Sequence, residues 1–305
     1  MRGGELFYYD SERDADSERD ADSERDTDSE RDANSESDNN IDKQTIVLIH
    51  GLGDEADTWR YIFPLLSGAG YRVIAPDLPG FGRSNWKGRI SVRGHCSAVI
   101  RLLAATNAAD AQRPTVLVGS SLGAGIAEMT ACRWPDLVKA LVLIDGCLPF
   151  CSRGSGLFFL GIPVVGASWY RSFRSDHEAA WKSLYPYYGD LDGMNAADRD
   201  FLRERVIARV ESTNQERGYL ATLRSMNAFS LFDRRNLSRK IKTFTGKIII
   251  LWGDKDGVFP PRRADIFRGL RPDAGFTFIY GAGHLPHQEK PDATAAEIIR
   301  FLKEE

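Results

Sequence analysis

The chain has 305 residues, of which 42% are hydrophobic, and a formal net charge of −3 at pH 7. A chain of this length can bury a substantial core, and its charge balance indicates no nucleic-acid partner. The N-terminus has no apolar signal segment, and the longest apolar stretch, residues 156–170, is interrupted by proline and glycine. We therefore predict a cytoplasmic protein without a signal peptide or an integral membrane span.

The first forty residues differ in composition from the rest. Residues 1–40 contain 15 acidic and 5 basic side chains and carry a charge of −10, so the remaining residues carry +7. The hexapeptide DSERDA begins at Asp10 and recurs, with drift, from Asp16, Asp22 and Asp28. A six-residue period does not suit a coiled coil, and the few apolar side chains cannot offset the entropy of ordering. The composition predicts a disordered acidic tail over 1–40, either a partner-binding arm or a tolerated repeat expansion.

Strand-like and helix-like patterns alternate along most of the remaining chain. Strands are predicted over 45–49, 71–75, 115–118, 138–146, 247–252 and 276–280, and helices over 91–106, 122–134 and 293–303. This alternation predicts an α/β fold with a mostly parallel sheet flanked by helices. It stops between 147 and 244, where the pattern is aromatic-rich and helical, as over 198–211. The predicted core therefore comprises 41–146 and 245–305, and the predicted helical insertion comprises 147–244.

A candidate nucleophile follows the strand predicted over 115–118. The next residues are GSSLG, which is typical of a sharp strand-to-helix turn with a serine at its apex. Such a turn needs small residues two positions before and after the serine, because a side chain there would collide with the strand or helix. Ser121 meets this requirement through Gly119 and Gly123. Ser120 does not, because its corresponding neighbours are valine and leucine.

Candidate partners for Ser121 follow later strands. A serine hydroxyl needs a histidine to take its proton and an acid to orient that histidine. His284 follows the strand predicted over 276–280, and Asp254 and Asp256 follow the strand predicted over 247–252. Asp145, at the end of an earlier strand, is a further candidate for the acid. The reactive groups of parallel sheets gather at the carboxyl ends of the strands, where all of these residues are predicted to lie.

Two backbone amides are candidates for an oxyanion hole. A tetrahedral acyl intermediate needs two N–H groups directed at its oxygen. One is predicted to be that of Leu122, at the N-terminus of the helix after the serine, where amides lack intrahelical partners. The other is predicted to be that of Leu52, which follows a sharp turn at Gly51 after the strand over 45–49.

These segments, together with Asp77–Ser84 (DLPGFGRS), resemble the α/β-hydrolase superfamily over residues 43–305. The resemblance implies an α/β-hydrolase fold, a helical cap formed by 147–244, and a serine hydrolase that needs no cofactor and no metal. It implies Asp256 as the acid, because this residue precedes a GVFP segment as in the family. It also implies that His50 is hydrogen-bonded to hold the oxyanion loop.

Other polar residues are assigned ordinary structural roles. His287 is predicted to be a cap or surface group, and His95 and His177 have no visible partner. The four cysteines show no metal-ligand spacing and indicate free thiols in a reducing cytosol. They are Cys96, Cys132, Cys147 and Cys151.

The expected activity is hydrolysis of a small to medium carboxylic ester with an apolar acyl or leaving group. Residues 157–165, with Trp169 and Tyr170, are predicted either to line an apolar substrate pocket or to attach the cap to the core. Alternative activities within the fold are carbon-carbon bond hydrolysis and aminopeptidase activity. The chain could also be a ligand receptor on a hydrolase scaffold, or a scaffold whose acidic tail recruits a basic partner. The oligomeric state is left open.

Overall fold

The computed structural model describes residues 4–13, 43–146, 156–232 and 234–304. Within these residues a single sheet contains seven strands. They are β1 (Tyr8–Asp10), β2 (Thr45–Ile49), β3 (Arg72–Pro76), β4 (Thr115–Ser120), β5 (Val138–Ile144), β6 (Lys247–Gly253) and β7 (Gly275–Ile279).

Helices pack on both faces of the sheet and make up most of the described chain between β5 and β6. They are α1 (Ile62–Gly68), α2 (Val92–Ala105), α3 (Leu122–Arg133), α4 (Gly156–Leu160), α5 (Pro163–Ser175), α6 (His177–Lys182), α7 (Ala196–Glu211), α8 (Thr213–Phe232), α9 (Arg234–Ile241), α10 (Arg262–Arg268), α11 (Pro286–Glu289) and α12 (Pro291–Lys303). Short 3-10 helices cover Ala56–Trp59, Pro135–Leu137 and Tyr185–Tyr187. We refer to α4–α9 as the cap helices.

The sheet order is β1-β3-β2-β4-β5-β6-β7, and only β1 runs antiparallel to its neighbour. Every residue of β2 and β4 is buried, as expected of central parallel strands covered on both faces. The register pairs Ile49 with Gly119 and Ser120 with Ile144. These pairings place the loop after β2, the serine turn and the loop after β5 side by side at the carboxyl ends of the strands. The predicted α/β-hydrolase fold is confirmed.

Local sequence explains where the main helices begin and end. Ser91 caps α2, because its hydroxyl accepts a hydrogen bond from the Gly94 amide at 3.1 Å. Asn195 caps α7 in the same way, accepting from the Asp198 amide at 2.9 Å. Pro135 lies two residues after the end of α3, since proline cannot continue a helix.

The N-terminal strand corrects the predicted tail. Residues Tyr8–Asp10 pair with β3, and the side chain of Asp10 is only 1% exposed. The Arg72 guanidinium donates to both Asp10 oxygens, with Nη2–Oδ2 at 2.8 Å and Nε–Oδ1 at 3.2 Å. The prediction of disorder over 1–40 is therefore wrong for residues 4–13, and residues 14–42 lie outside the described residues.

Arg83 attaches this N-terminal strand to the core. Its guanidinium carbon lies 3.8 Å from the centre of the Phe7 ring, and its Nη1 donates to the Tyr9 hydroxyl at 2.6 Å. The same guanidinium pairs with the fully buried Asp77, with Nε–Oδ2 at 2.9 Å. Phe7 and Tyr9 thus hold this strand against the core through cation–π contacts with Arg83.

The cap helices pack on the core at the edge where the predicted site residues lie. The core loop after β3 meets α8 closely, because a Cβ on Gly218 would lie 2.1 Å from the Gly80 carbonyl oxygen. Residues 147–155 of the predicted insertion lie outside the described residues. No helix in the described ranges is long and apolar enough to cross a bilayer.

Candidate active site

The serine turn has the strained geometry predicted from its sequence. Ser121 joins β4 to α3 with φ 52°, in the left-handed region that few non-glycine residues adopt. A Cβ on Gly119 would lie 2.3 Å from the Gly123 carbonyl, and a Cβ on Gly123 would lie 2.0 Å from the Ile49 carbonyl oxygen. The predicted steric requirement for glycine at both positions is confirmed.

His284 lies beside Asp256 at the same edge of the sheet. The Nδ1 atom of His284 is 2.9 Å from Oδ2 of Asp256, and both side chains are almost completely buried. Oδ1 of Asp256 accepts hydrogen bonds from the amides of Val258 (2.7 Å) and Phe259 (2.9 Å). These bonds hold the carboxylate in place. The other histidine nitrogen, Nε2, is buried without a hydrogen-bond partner among the described residues.

The two alternative acids lie in different surroundings. Asp254 accepts a hydrogen bond from the Gly281 amide at 2.6 Å, which is the role of a turn residue. Asp145 is fully buried, and its Oδ1 accepts from the Gly253 amide at 2.8 Å. Of the three aspartates, Asp256 is the one with a hydrogen bond to His284.

The loop after β2 is held by His50. The Leu78 amide donates to Nε2 of His50 at 2.9 Å, so Nδ1 carries the proton and donates to the Gly51 carbonyl at 2.8 Å. Burial lowers the pKa of His50. The predicted hydrogen bonding of this residue is confirmed. The left-handed residue of the loop is Gly53, with φ 82°, rather than Gly51.

An apolar cavity of about 150 Å³ joins the loop after β2, Ser121 and His284 to the cap helices. Its lining is mostly aromatic and aliphatic and comprises Gly51, Leu52, Gly53, Ser121, Trp169, Tyr170, Phe173, Leu184, Tyr187, Tyr188, Leu202, Val206, Val210, Tyr219, His284 and Leu285, together with the polar residues Asp54, Ser183, Arg209 and Gln288.

The residues predicted either to line a pocket or to attach the cap to the core do not all have the same role. Trp169 and Tyr170 line the cavity, whereas residues 158–165 are not among its described lining residues. In that stretch Phe159 and Val164 are 54% and 79% exposed. The turn of α5 directs Trp169 and Tyr170 inward and leaves its N-terminal valines at the surface.

A buried ionic cluster connects the cap helices to the loop after β2. Arg205 and Arg209 lie one turn apart on α7 and both donate to Glu55, whose side chain is 1% exposed. Arg209 also pairs with Asp54 at 2.6 Å. Burial alone would raise the pKa of Glu55, but the Arg209 charge and hydrogen bonds from Arg205 lower it to about 2. Sequence spacing does not indicate this cluster, since its partners are about 150 positions apart.

We predict that the Glu55 carboxylate stabilises the folded chain less as the pH falls. The pKa of Glu55 is lower in the folded chain than its ordinary value of 4.5. The contribution of its charge to folding stability is therefore complete above pH 4.5 and is lost as the pH falls towards 2. The full contribution is about 3 kcal/mol. We expect the difference in unfolding free energy between the wild type and Glu55→Gln to narrow over this range, as measured by urea denaturation from pH 6 downward. A constant difference would contradict the assignment.

Two further side chains hold the site loops together. The Gln215 amide nitrogen on α8 donates to the Gly53 carbonyl at 2.9 Å, and its oxygen accepts from the Gly82 amide at 3.1 Å. The Glu289 carboxylate accepts from the Gly283 amide at 2.6 Å and from the Gly189 amide at 2.8 Å. Gln215 thus links the loop after β2 to a cap helix, and Glu289 links the histidine loop to the cap.

The prediction of a cap or surface role for His287 is wrong, and the structure provides partners for His95 and His177 that the sequence does not indicate. His287 is fully buried, packs on Trp59 and has Nε2 2.9 Å from the Thr58 hydroxyl. His95 is also buried, with Nε2 2.9 Å from the hydroxyl of a threonine on α8, Thr222. Burial lowers the pKa of both to about 3. His177 pairs with a glutamate, Glu211, at 2.9 Å. Each partner is distant in sequence and therefore invisible to pattern analysis.

Cys96 and Cys132 are free thiols, and Cys147 and Cys151 lie outside the described residues. Asp145, Asp256 and His284 have possible metal-ligand atoms within 4.8 Å of one another. Pattern analysis predicted no metal site. Since Nδ1 of His284 and Oδ2 of Asp256 share a hydrogen bond, we describe this group as an acid–imidazole pair with a second acid beside it.

Comparison with known proteins establishes the family. The model of the alpha/beta hydrolase family matches residues 46–297. The chain belongs to the alpha/beta hydrolase family. This alpha/beta hydrolase is 27% identical over 252 residues to the pimeloyl-[acyl-carrier protein] methyl ester esterase of Sodalis glossinidius, covering 81% of this chain and 88% of the relative.

Two other proteins are similar to this alpha/beta hydrolase. Lipase 3 of Moraxella sp. (strain TA144) is 25% identical over 268 residues, which cover 85% of this chain and 77% of the lipase. A solved thermophilic esterase from Thermogutta terrifontis superimposes with a TM-score of 0.71 at 19% identity, covering 98% of this chain and 93% of the esterase. At this identity the structural likeness shows the fold alone.

Proposed function

We propose that this alpha/beta hydrolase is a serine carboxylesterase that acts through an acyl-enzyme. The observation that carries the proposal is that Ser121, on its strained turn, and His284, bonded to Asp256, line the same cavity. Membership of the family and the esterases and lipases among its relatives support the same reaction.

Each proposed catalytic residue has a separate task. Ser121 Oγ attacks the ester carbonyl while Nε2 of His284 takes its proton, and His284 then returns that proton to the leaving alkoxide. Asp256 fixes the proton of His284 on Nδ1 and stabilises the imidazolium. In the second half of the reaction, His284 activates a water that releases the acid and restores Ser121. The buried, unpartnered Nε2 supports this assignment.

The oxyanion hole is proposed to consist of the Leu52 and Leu122 amides. Leu122 is the first residue of α3, so its N–H has no intrahelical acceptor and lies at the positive end of the helix. Leu52 lines the cavity with Ser121, and a Cβ on Gly51 would lie 3.5 Å from the Ser121 Cβ. This proximity supports the use of the loop after β2 to bind the oxyanion.

The size and the apolar lining of the cavity favour substrates with a short apolar acyl group. An apolar cavity of about 150 Å³ holds a group the size of benzene, which has six carbon atoms. The polar residue Arg209 is neutralised by Asp54 and Glu55, so it provides no free charge for an anionic substrate.

A p-nitrophenyl acyl series tests both the reaction and the pocket. We expect kcat/KM to rise from acetate to chains of about six carbons and to fall for longer chains, because further methylenes exceed the cavity. Steady-state hydrolysis of C2 to C16 esters measures this. Replacing Val206, which lines the cavity on α7, with alanine should move the optimum to longer chains. An optimum at C12 or above would contradict the pocket assignment.

A further inference from the structure

Asp145 places a second carboxyl group beside the proposed acid. It is fully buried, its Oδ1 accepts from the Gly253 amide, and its Oδ2 is buried without a hydrogen-bond partner among the described residues. Ligand atoms of Asp145, Asp256 and His284 lie within 4.8 Å of one another. Two carboxyl groups this close in a buried site do not both ionise, because the like charges are unscreened.

The hydrogen bonds decide which of the two carries the proton. Asp256 accepts from two amides and bonds to His284, so three donors favour its ionised form. Asp145 accepts from one amide. The titratable groups facing Asp145 are Asp256, His284 and Glu289, and burial, followed by the Asp256 charge, raises the pKa of Asp145 well above its ordinary range. The proton therefore belongs to Asp145.

The backbone at Asp145 is held in an unusual conformation. Its φ of 45° lies in the left-handed region, which costs a non-glycine residue free energy. The adjoining chain is fixed on both sides, because the Asp145 amide donates to the Leu251 carbonyl at 2.9 Å and the Ser121 amide donates to the Ile144 carbonyl at 2.8 Å. This strained segment connects the serine turn to the acid and fixes the position of the Asp145 side chain.

We infer that Asp145 is a positioning residue that stays protonated at neutral pH and donates its carboxyl proton in a hydrogen bond to the carboxylate of Asp256. The bond provides Oδ2 of Asp145 with a partner and gives Asp256 a fourth donor. It leaves a single negative charge beside His284. This inference rests on the proposed function, because it assigns Asp145 a role through Asp256 and His284.

Two substitutions at one position test the role. Asp145→Asn keeps the shape and an N–H donor without a titratable group, whereas Asp145→Leu removes the donor. We expect the asparagine variant to keep the wild-type kcat/KM and the wild-type midpoint of the acid limb in a plot of kcat/KM against pH. We expect the leucine variant to lose kcat by roughly 10- to 100-fold. If Asp145 were ionised, the asparagine variant would move the acid limb down by about one pH unit or more, because it would remove a charge near the imidazole. That shift, or a fully active leucine variant, would overturn the inference.

A spectroscopic measurement keeps the test independent of turnover. In protein labelled with ¹³C at the aspartate carboxyl carbons, we expect one resonance of a protonated carboxyl at pH 7 that is missing from Asp145→Asn. Its presence in Ser121→Ala would show that the carboxyl pair is intact when catalysis is abolished. Absence of the resonance from folded wild type overturns the inference, while its presence without ester turnover contradicts only the proposed function.

Discussion

If Ser121 is the nucleophile as proposed, replacing it with alanine is expected to reduce kcat for p-nitrophenyl esters by roughly 10⁴- to 10⁶-fold, the cost of removing the nucleophile from a serine triad. The reason is chemical, since the proposed acyl-enzyme forms on the Ser121 hydroxyl, which alanine lacks, while the hydrogen bond between His284 and Asp256 is untouched. The measurement is steady-state hydrolysis, together with the burst of p-nitrophenol that titrates the acylated serine in the wild type.

Ser120 offers a matched control for that experiment. It is the adjacent serine, fully buried, and its hydroxyl has no hydrogen-bond partner among the described residues. Removing such a hydroxyl costs little stability, so Ser120→Ala should fold and retain its burst. Loss of activity in Ser120→Ala with a fully active Ser121→Ala would refute the assignment. Tight ligand binding without turnover, unaffected by Ser121→Ala, would favour a receptor on the hydrolase scaffold.

Replacing Arg209 with methionine is expected to cost about 3 kcal/mol of stability, the range for removing one partner from a buried ion pair. Glu55 is 1% exposed, and the substitution leaves it with Arg205 alone while Asp54 loses its cation. The cluster begins at Asp54, two residues after Leu52, so the ester-hydrolysis rate should fall as well. Thermal unfolding should show a decrease in Tm of about 6 to 12 °C.

Arg203 provides the control on the same helix. It pairs with Glu178 at 2.8 Å, but both side chains are about half exposed. Exposed pairs contribute at most about 1 kcal/mol, so Arg203→Met should keep both Tm and activity close to the wild type. Equal effects of the two substitutions would show that the buried cluster contributes no more than a surface ion pair.

Local sequence was sufficient for the fold and for the serine turn. Most of the parallel strands are short apolar runs, and α2, α3, α7 and α12 lie where the sequence pattern predicted helices, so these elements depend on neighbours a few positions away. The glycine requirement at 119 and 123 is equally local, because the collisions involve the turn itself and the adjoining β2 end. The order of serine, acid and histidine along the chain follows from the same signals.

Long-range contacts decided the rest. The docking of Tyr8–Asp10 depends on Arg72 and Arg83, which no pattern within the acidic repeat could indicate. The partners of His95 and His287 are 127 and 229 positions away, and sequence spacing carries no information about them.

The sequence by itself determined the α/β architecture, the serine turn and the candidates for its partners, because strand, turn and cap preferences are set within a few residues. Only the tertiary structure decided which aspartate bonds His284, that Asp145 lies beside it, and that the cap helices are tied to the loop after β2 through Glu55. The physical reason is that burial and charge pairing depend on which distant segments meet, and those contacts exist only once the chain has folded.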